Sequence, residues 1–472
     1  MPASGIKTRG IGSAKVGPDQ HPPRILALMT TQQKILELNA FDMRALAELD
    51  PATASLVERR RRTFGPTSML FYKRPLNLVR GEGVWLFDAD GTRYLDAYNN
   101  VPSAGHCNPR VAEAVARQMA TLNTNTRYLY DNVYTYAERL LATMPAEISN
   151  IVFTCTGSES VDLALRIARS VTGGTGFIAT ANAYHGNTTT ATEVSPSSAS
   201  SEPPNPHIYF VPAPDTYRNS GDIGAAFNTS VSEAIAAMQS KGIRIAGMIA
   251  DSIFSSDGVY PGNPGFIATT VATVRAAGGL YIADEVQPGF GRTGAAMWGF
   301  QRHGIVPDIV VMGKPMGNGY PVGGAAIRPE LLETFGSKSG YFNTFGGSPV
   351  AAAAGLAVLD ALAEDHLQDN ARETGAYLLQ HLKEKSANHP YVGDVRGAGL
   401  YLAVEFVNDK TSRAPNKDAA VNGVNAMREQ NILVGTAGLN GNIWKIRPPL
   451  SFSCDHADIF LEGFDKVLKT TG

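Results

Sequence analysis

Only three of the 472 residues are cysteines, Cys107, Cys155 and Cys454, and none stands in the close pairs that disulfide frameworks or metal clusters use. His-Glu-x-x-His is absent as well, so no metal site is expected. Charge of one sign is also missing. The 41 Lys+Arg and 43 Asp+Glu leave a formal net charge of -2, and no bulk basic field recruits nucleic acid or an anionic membrane. No segment reaches the roughly 20 apolar residues of a membrane helix, and the opening MPASGIKTRGIGSAKVGPDQHPP lacks the apolar run of a secretory signal. These absences point to a soluble protein of a reducing cytoplasm, with neither nucleic acid nor membrane as partner.

Internal repeats are lacking too, and the chain divides by composition. Residues 1–23, dominated by Gly, Pro, Ser and Lys, are expected to form a mobile tail. Residues 24–63 read as a helical extension, from the spacing of Ile35, Leu36, Leu38 and Phe41 and from a second stretch after Pro51 that ends in ERRRR. The run Arg59 to Arg62 reads as a solvated helix face. VWLFDADGTRYLDAY predicts two short strands around an Asp90-Gly91 turn, which supplies the positive φ of a tight hairpin.

From about residue 120 to 349, the apolar runs NIVFTC, GFIATA, HIYFVP, IAGMIA, GLYIAD and DIVVMG alternate with helical patterns such as SVDLALRIARSV and FIATTVATVRAAG. Such runs predict an α/β fold with a mostly parallel sheet covered by helices on both faces, whose ligands bind at the carboxyl ends of the strands. Residues 64–119 and 350–472, with strand-like GLYLAVEF and NIWKIRP, read as a smaller α+β domain. SPSSASSEPPNP (195–206) reads as a surface loop.

IVVMGKPMGNGYP raises a chemical question: why does one lysine, Lys314, close a fully apolar strand? Asp284 closes GLYIAD in the same way, and the sheet would deliver both to one rim. A partly desolvated lysine has a lowered pKa and can bind a carbonyl cofactor covalently, while an acid beside it could hold a protonated pyridine nitrogen. A structural Lys-Asp ion pair fits those two residues equally well. In TCTGSESVDLALRIARS, Thr156 and Glu159 have capping-box spacing, and Gly157-Ser158 lie where a strand turns into a helix, a place suited to a phosphate. Tyr184 and His185 in ATANAYHGN stand near another strand end, where an aromatic could stack on a flat ring. Taken singly, each is more simply a core or structural residue.

Together these segments resemble class III (ω-type) aminotransferases of pyridoxal-phosphate (PLP) fold type I, from about Phe64 to the C-terminus. The resemblance is carried by ADEVQPGFGRTG (283–294), GKPMGNG (313–319) and NTFGGSP (343–349). It implies PLP as cofactor, a large PLP-binding domain and a smaller α+β domain. Lys314 would hold the cofactor and then transfer protons, Asp284 would keep the ring nitrogen protonated, and Gln287 would reach the ring hydroxyl. Tyr184 would stack on one face, with His185 nearby, while Gly157 and Ser158 cradle the phosphate. Thr344 matches a residue that contacts the phosphate from the partner subunit, which implies a homodimer. One departure is TGSES where the family writes SGSEA or SGAEA, and it leaves the roles of Thr156 and Ser160 open.

A narrower likeness, in YLDAYNNVPSAGHCNPRV, LNTNTRYLYDNVYTYAERL, PAPDTYR and MGKPMGNGYPV, is to the subgroup of ethanolamine-phosphate phospho-lyases and their phosphohydroxylysine-cleaving relatives. Asp251-Ser252, where aminotransferases of the family show Glu-Pro, points the same way. The implied reaction removes phosphate from a small phosphorylated amine, with Arg127, Asn99 and Asn100 as candidate phosphate ligands. Arg447 aligns with an arginine that grips substrate carboxylates and could equally hold a phosphate. The competing expectations are an ω-aminotransferase acting on an amine or β/γ-amino acid with a keto acid, and a catalytically silent homologue.

Overall fold

The structure, a computed structural model, describes residues 38–198 and 203–470. The expected tail and residues 24–37 of the expected extension lie outside the described residues, as do positions 199–202 of the Ser/Pro loop. Leu38 and Phe41, expected on a helix, sit instead in a paired segment. The Phe41 amide donates to the Leu70 carbonyl (2.8 Å) and the Tyr72 amide to the Asn39 carbonyl (3.0 Å). Only a short 3-10 turn, Met43–Glu48, follows. Pairing with residues 70–72 satisfies backbone groups that an isolated helical turn would leave to water, so it overrides the helical spacing.

The second stretch is helical as expected: α1 (Pro51–Phe64) starts with Pro at its first turn and ends at Gly65, φ 70°. Asp50 caps it by accepting from the Ala52 and Thr53 amides (3.1 and 3.0 Å), an arrangement that contributes about 1 kcal/mol. Within the arginine run, Arg59, Arg61 and Arg62 are exposed, while Arg60 donates to Ser68 Oγ (2.7 Å). Strands β1 (Leu78–Glu82), β2 (Trp85–Asp88) and β3 (Arg93–Asp96) then pair antiparallel, with Gly91 at φ 89° in the β2–β3 turn. Helices α2 (Pro109–Thr121) and α3 (Asp131–Leu141) lead into the large sheet.

That sheet is built from β4 (Asn150–Thr154), α4 (Gly157–Thr172), β5 (Gly176–Thr180), β6 (Ile208–Val211), α5 (Ile223–Ser240), β7 (Ile245–Asp251), α6 (Ala268–Ala276), β8 (Leu280–Asp284), β9 (Ile309–Met312) and β10 (Gly323–Ile327). All six runs read from the sequence are strands. The order is β4-β10-β9-β8-β7-β5-β6, parallel except for β10, which runs against both its neighbours. The sequence reading missed β10 because GGAAI has no β-branched or aromatic run. Its glycines answer to packing: a Cβ on Gly323 would lie 2.5 Å from Thr154 Oγ1 and 2.6 Å from the Thr156 carbonyl oxygen.

Register does the decisive work at the rim. Asp251 pairs with Asp284 across β7–β8, and Asp284 pairs with Val311 across β8–β9. Lys314, two residues past the end of β9, therefore follows directly on a row of two acids. The chain continues through α7 (Pro329–Lys338), α8 (Pro349–Glu364) and α9 (Leu367–Ser386) to β11 (Val392–Ala398) and β12 (Tyr401–Phe406). It ends with α10 (Lys417–Glu429), β13 (Ile432–Leu433), β14 (Gly435–Ala437), β15 (Ile443–Ile446) and α11 (Cys454–Thr470).

β13 joins β3 in parallel, and the last sheet has the order β11-β12-β15-β14. Alternation along β15 turns Trp444 toward Phe406 and Phe464, at ring-centroid distances of 5.0 and 5.9 Å. Its other face clusters Ile443 with Tyr401, Ala403, Ile253 and Val259, so it looks onto the segment that follows β7. Among the described residues no helix is long and apolar enough to cross a membrane.

Candidate active site

Lys314 and Asp284 come to the same rim, and no ion pair joins them. The Asp284 carboxylate is taken by other groups: Oδ2 lies 2.6 Å from His185 Nδ1, and Oδ1 accepts the Val286 amide (3.0 Å). Among the described residues the Lys314 amine forms no salt bridge. Burial, reinforced by the charge of Arg447, pushes its pKa down to about 8 against the opposite pull of Asp284 and Asp251. Asp251, the next acid in the row, is pushed up by burial and then by Asp284. His185, expected beside the cofactor, is placed to orient Asp284; its Nε2 is buried without a partner.

A line of hydrogen bonds runs from this rim to the last sheet. Ser255 Oγ donates to Asp251 Oδ2, and Gln287 Nε2 donates to Ser255 Oγ (2.9 Å). Gln287 Oε1 accepts from Tyr401 Oη (2.9 Å) and from Arg447 Nη1, which also donates to Asn100 Oδ1 (3.1 Å). Gln287 keeps one free N–H toward any ring hydroxyl. The Arg447 guanidinium also lies over Tyr98, 4.7 Å from its centroid. Two donors end here without a partner, Arg447 Nε and Asn100 Nδ2, both buried.

Asn99, expected with Asn100, is committed elsewhere. Its amide donates to Asp96 Oδ1 (3.2 Å), the oxygen that also accepts the backbone amides of Tyr98 and Asn99 (2.9 Å each). His106 Nε2 holds the other oxygen of that carboxylate at 2.6 Å. Asn99 thus shapes the turn that presents Asn100, and only Asn100 meets Arg447.

At the start of α4, Thr156 Oγ1 accepts the Glu159 amide (3.1 Å), while Glu159 Oε2 accepts the Cys155 amide (2.7 Å), one residue earlier than a regular capping box. Ser160 Oγ bonds Thr154 Oγ1 (2.8 Å) and the Met312 carbonyl (3.2 Å), pinning the helix to β9 just before Lys314. The departure TGSES therefore has a place in the fold: Thr156 caps, and Ser160 anchors. The Gly157 and Ser158 amides open the helix and have no acceptor within it. A Cβ on Gly313 would stand 2.9 Å from the Gly157 nitrogen, so the turn bearing Lys314 and the anion seat touch through bare backbone. Tyr184 is half-buried four residues past β5, and burial raises its pKa.

Two expected residues are not brought into this cluster within the chain. Thr344 is exposed, on a turn held by Asn343 Oδ1 through the amides of Phe345 and Gly346 (3.2 and 3.0 Å). Arg127 is exposed as well, its guanidinium 4.1 Å from the centroid of Phe342. Tyr128, Leu129 and Phe345 extend that surface, at 63, 88 and 72 % exposure. Conversely, Ser255 and Tyr401 join this line of hydrogen bonds and Lys445 lies two residues before Arg447, and none of the three was singled out from the sequence. Nothing in the local pattern marks the first two, whereas Lys445 is a lysine within an apolar strand, the same signal that exposed Lys314.

The site fits a PLP: a helix start whose Gly157 and Ser158 amides are open to a phosphate, an anchored carboxylate, an unpaired, half-buried lysine, and orphaned donors beyond. Residues 71–468 match the family Aminotransferase class-III. Alanine--glyoxylate aminotransferase 2-like of Drosophila melanogaster is 40% identical over 426 residues, spanning 87% of this chain and 86% of its own. Ethanolamine-phosphate phospho-lyase homolog 1 of Caenorhabditis elegans is 34% identical over 436 residues, spanning 88% and 93%. A solved phospholyase from Arthrobacter in complex with phosphoethanolamine has a TM-score of 0.85 at 42% identity, covering 88% of this chain and 99% of that one. The chain belongs to the class III aminotransferase family, enzymes of fold type I whose cofactor is pyridoxal phosphate.

Proposed function

We propose that the protein is a phospho-lyase that converts ethanolamine phosphate and water into acetaldehyde, ammonia and inorganic phosphate. The observation that carries this reading is the pair of buried, unpartnered donors, Arg447 Nε and Asn100 Nδ2, next to the Lys314–Asp284 rim. Cationic and amide donors at that place balance the charge of a departing phosphate. The likeness to the Arthrobacter phospholyase and Ser252 in place of the family's proline support it.

When bound, PLP supplies a sink for the electrons released as a C–H bond breaks next to the substrate nitrogen. Lys314 would hold the cofactor covalently and would then take the proton from the carbon that carries the amine. Asp284, fixed by His185 and the Val286 amide, would hold a proton on the ring nitrogen. Gly157 and Ser158 would bind the cofactor phosphate, Gln287 the ring hydroxyl, and Tyr184 would lie against the ring. Arg447 and Asn100 receive the leaving phosphate. Because the neutral amine is the nucleophile, cofactor-free protein should recapture PLP at a rate that rises with pH through about 8. Absorbance-monitored reconstitution across pH checks this; a rise deferred to the ordinary lysine range, about 10.4, would contradict it.

The protein acts as a homodimer in the cytoplasm, with Thr344 reaching the partner's cofactor phosphate and Arg127 the partner's substrate. The exposed Tyr128, Leu129, Phe342 and Phe345 around them support an interface there. Arg127→Ala should raise KM for ethanolamine phosphate about tenfold or more and leave that for a plain amine within about threefold. Equal changes for both substrates would remove Arg127 from phosphate recognition.

The relative from Drosophila, named as an aminotransferase, favours a second reading in which Arg447 grips a carboxylate and a keto acid accepts the amino group. Holoenzyme incubated with ethanolamine phosphate and no keto acid separates the two. Equal release of phosphate and acetaldehyde supports the lyase; turnover only after pyruvate is added supports the aminotransferase.

A further inference from the structure

Lys445 is a charged residue that the reaction above leaves without a task. It is 5% exposed, in the middle of β15, with Ala403 and Gly435 as its neighbours across the sheet. Both partners are small, which leaves room above them for a long side chain. Alternation places Lys445 on the face shared with Ile443 and Tyr401, opposite Trp444, so it looks toward the segment after β7.

The charges that act on it are those of Arg447 and Lys314, which disfavour its protonated form, and of Asp251 and Asp257, which favour it. Neither acid pairs with it, and both are held by other donors. Asp251 accepts from Ser255 Oγ and from the Ile253 and Ser255 amides (2.8 and 3.2 Å); Asp257 accepts from Thr180 Oγ1 (2.6 Å) and the Asn182 amide (2.9 Å). Among the described residues Lys445 makes no side-chain hydrogen bond and no salt bridge. Charging an amine that is buried without an acceptor is costly, and an incoming anion would relieve that penalty.

We propose that Lys445 is a second cation, beside Arg447, for the phosphate group of the substrate. The inference rests on the phospho-lyase reading and deepens it. Two positive groups on one face suit a dianionic monoester better than a single carboxylate, which a lone arginine fork already satisfies. Burial, and then the charge of Arg447, lowers the Lys445 pKa well below the usual value, so the dianion would also draw a proton onto this amine as it binds.

Holoenzyme and its Lys445→Met variant, titrated calorimetrically with inorganic phosphate and assayed with ethanolamine phosphate, test the assignment. The variant is expected to raise the phosphate Kd and the KM each by about 10- to 100-fold with a smaller change in kcat, and Lys445→Arg to recover most of the loss. Should Lys445→Met fail to fold, Lys445→Gln is read in the same titration. Unchanged phosphate affinity, accompanied by a shift in the pH midpoint of the cofactor absorbance, would show that Lys445 acts on Lys314 instead and would overturn the proposal. Wild-type enzyme that releases no phosphate from ethanolamine phosphate overturns the lyase reading itself; release with an unaffected variant overturns only the role of Lys445.

Discussion

Lys314→Ala should lower kcat by about 10,000-fold or more while the protein remains folded. The large effect follows from the double task of one amine, which both holds the cofactor and carries the proton, so that no other group inherits either part. Folding should survive because the amine has no salt bridge to lose and because burial holds its pKa near 8, a sign that the charged form is disfavoured where it sits. A lysine whose folded pKa lies below its unfolded value costs stability at pH below about 8, and that cost fades as pH rises toward the unfolded value. Cofactor-free Lys314→Ala should therefore melt no lower than the cofactor-free parent at neutral pH, and the two should converge in alkali. Activity within tenfold of the parent would reject the assigned role.

Asp284→Ala is expected to have the second-largest effect, about 1,000-fold on kcat together with weakened retention of PLP during dialysis. The carboxylate is buried at 4% exposure and anchored on both oxygens, so its position is set before any ligand arrives. Removing it leaves His185 with neither ring nitrogen bonded, a buried polar loss that adds instability of about 1–3 kcal/mol. Asp284→Asn separates the two effects: it keeps a hydrogen-bonding group for His185 and removes the charge. Full activity in the amide variant would show that the charge at 284 is dispensable.

Much of this was legible because the chemistry sits where elements end. Lys314 and Asp284 each close an apolar run, and parallel register then converts two separate strand ends into one rim. The glycines and the capping threonine before α4 were legible for the same reason, since a helix start has its own residue preferences. What was not legible depends on contacts between segments far apart in the chain. Tyr401 joins Gln287 across 114 residues, and Arg447 joins Asn100 across 347, with no local pattern to announce either. Asn99 and Asn100 were indistinguishable as neighbours until the turn around Asp96 took up Asn99 and left the more deeply buried Asn100 for Arg447. Strand β10 was hidden because close packing against Thr154 and Thr156 selected glycine over the residues that usually mark a strand.

The central claim is that the amine of Lys314, and not that of Lys445, carries the cofactor. Reducing the holoenzyme with borohydride, digesting it and locating the bound pyridoxyl group by mass spectrometry tests this directly. The account predicts the label on the peptide that contains Lys314, in one copy per chain. A label on Lys445, or on no lysine at all, would contradict it.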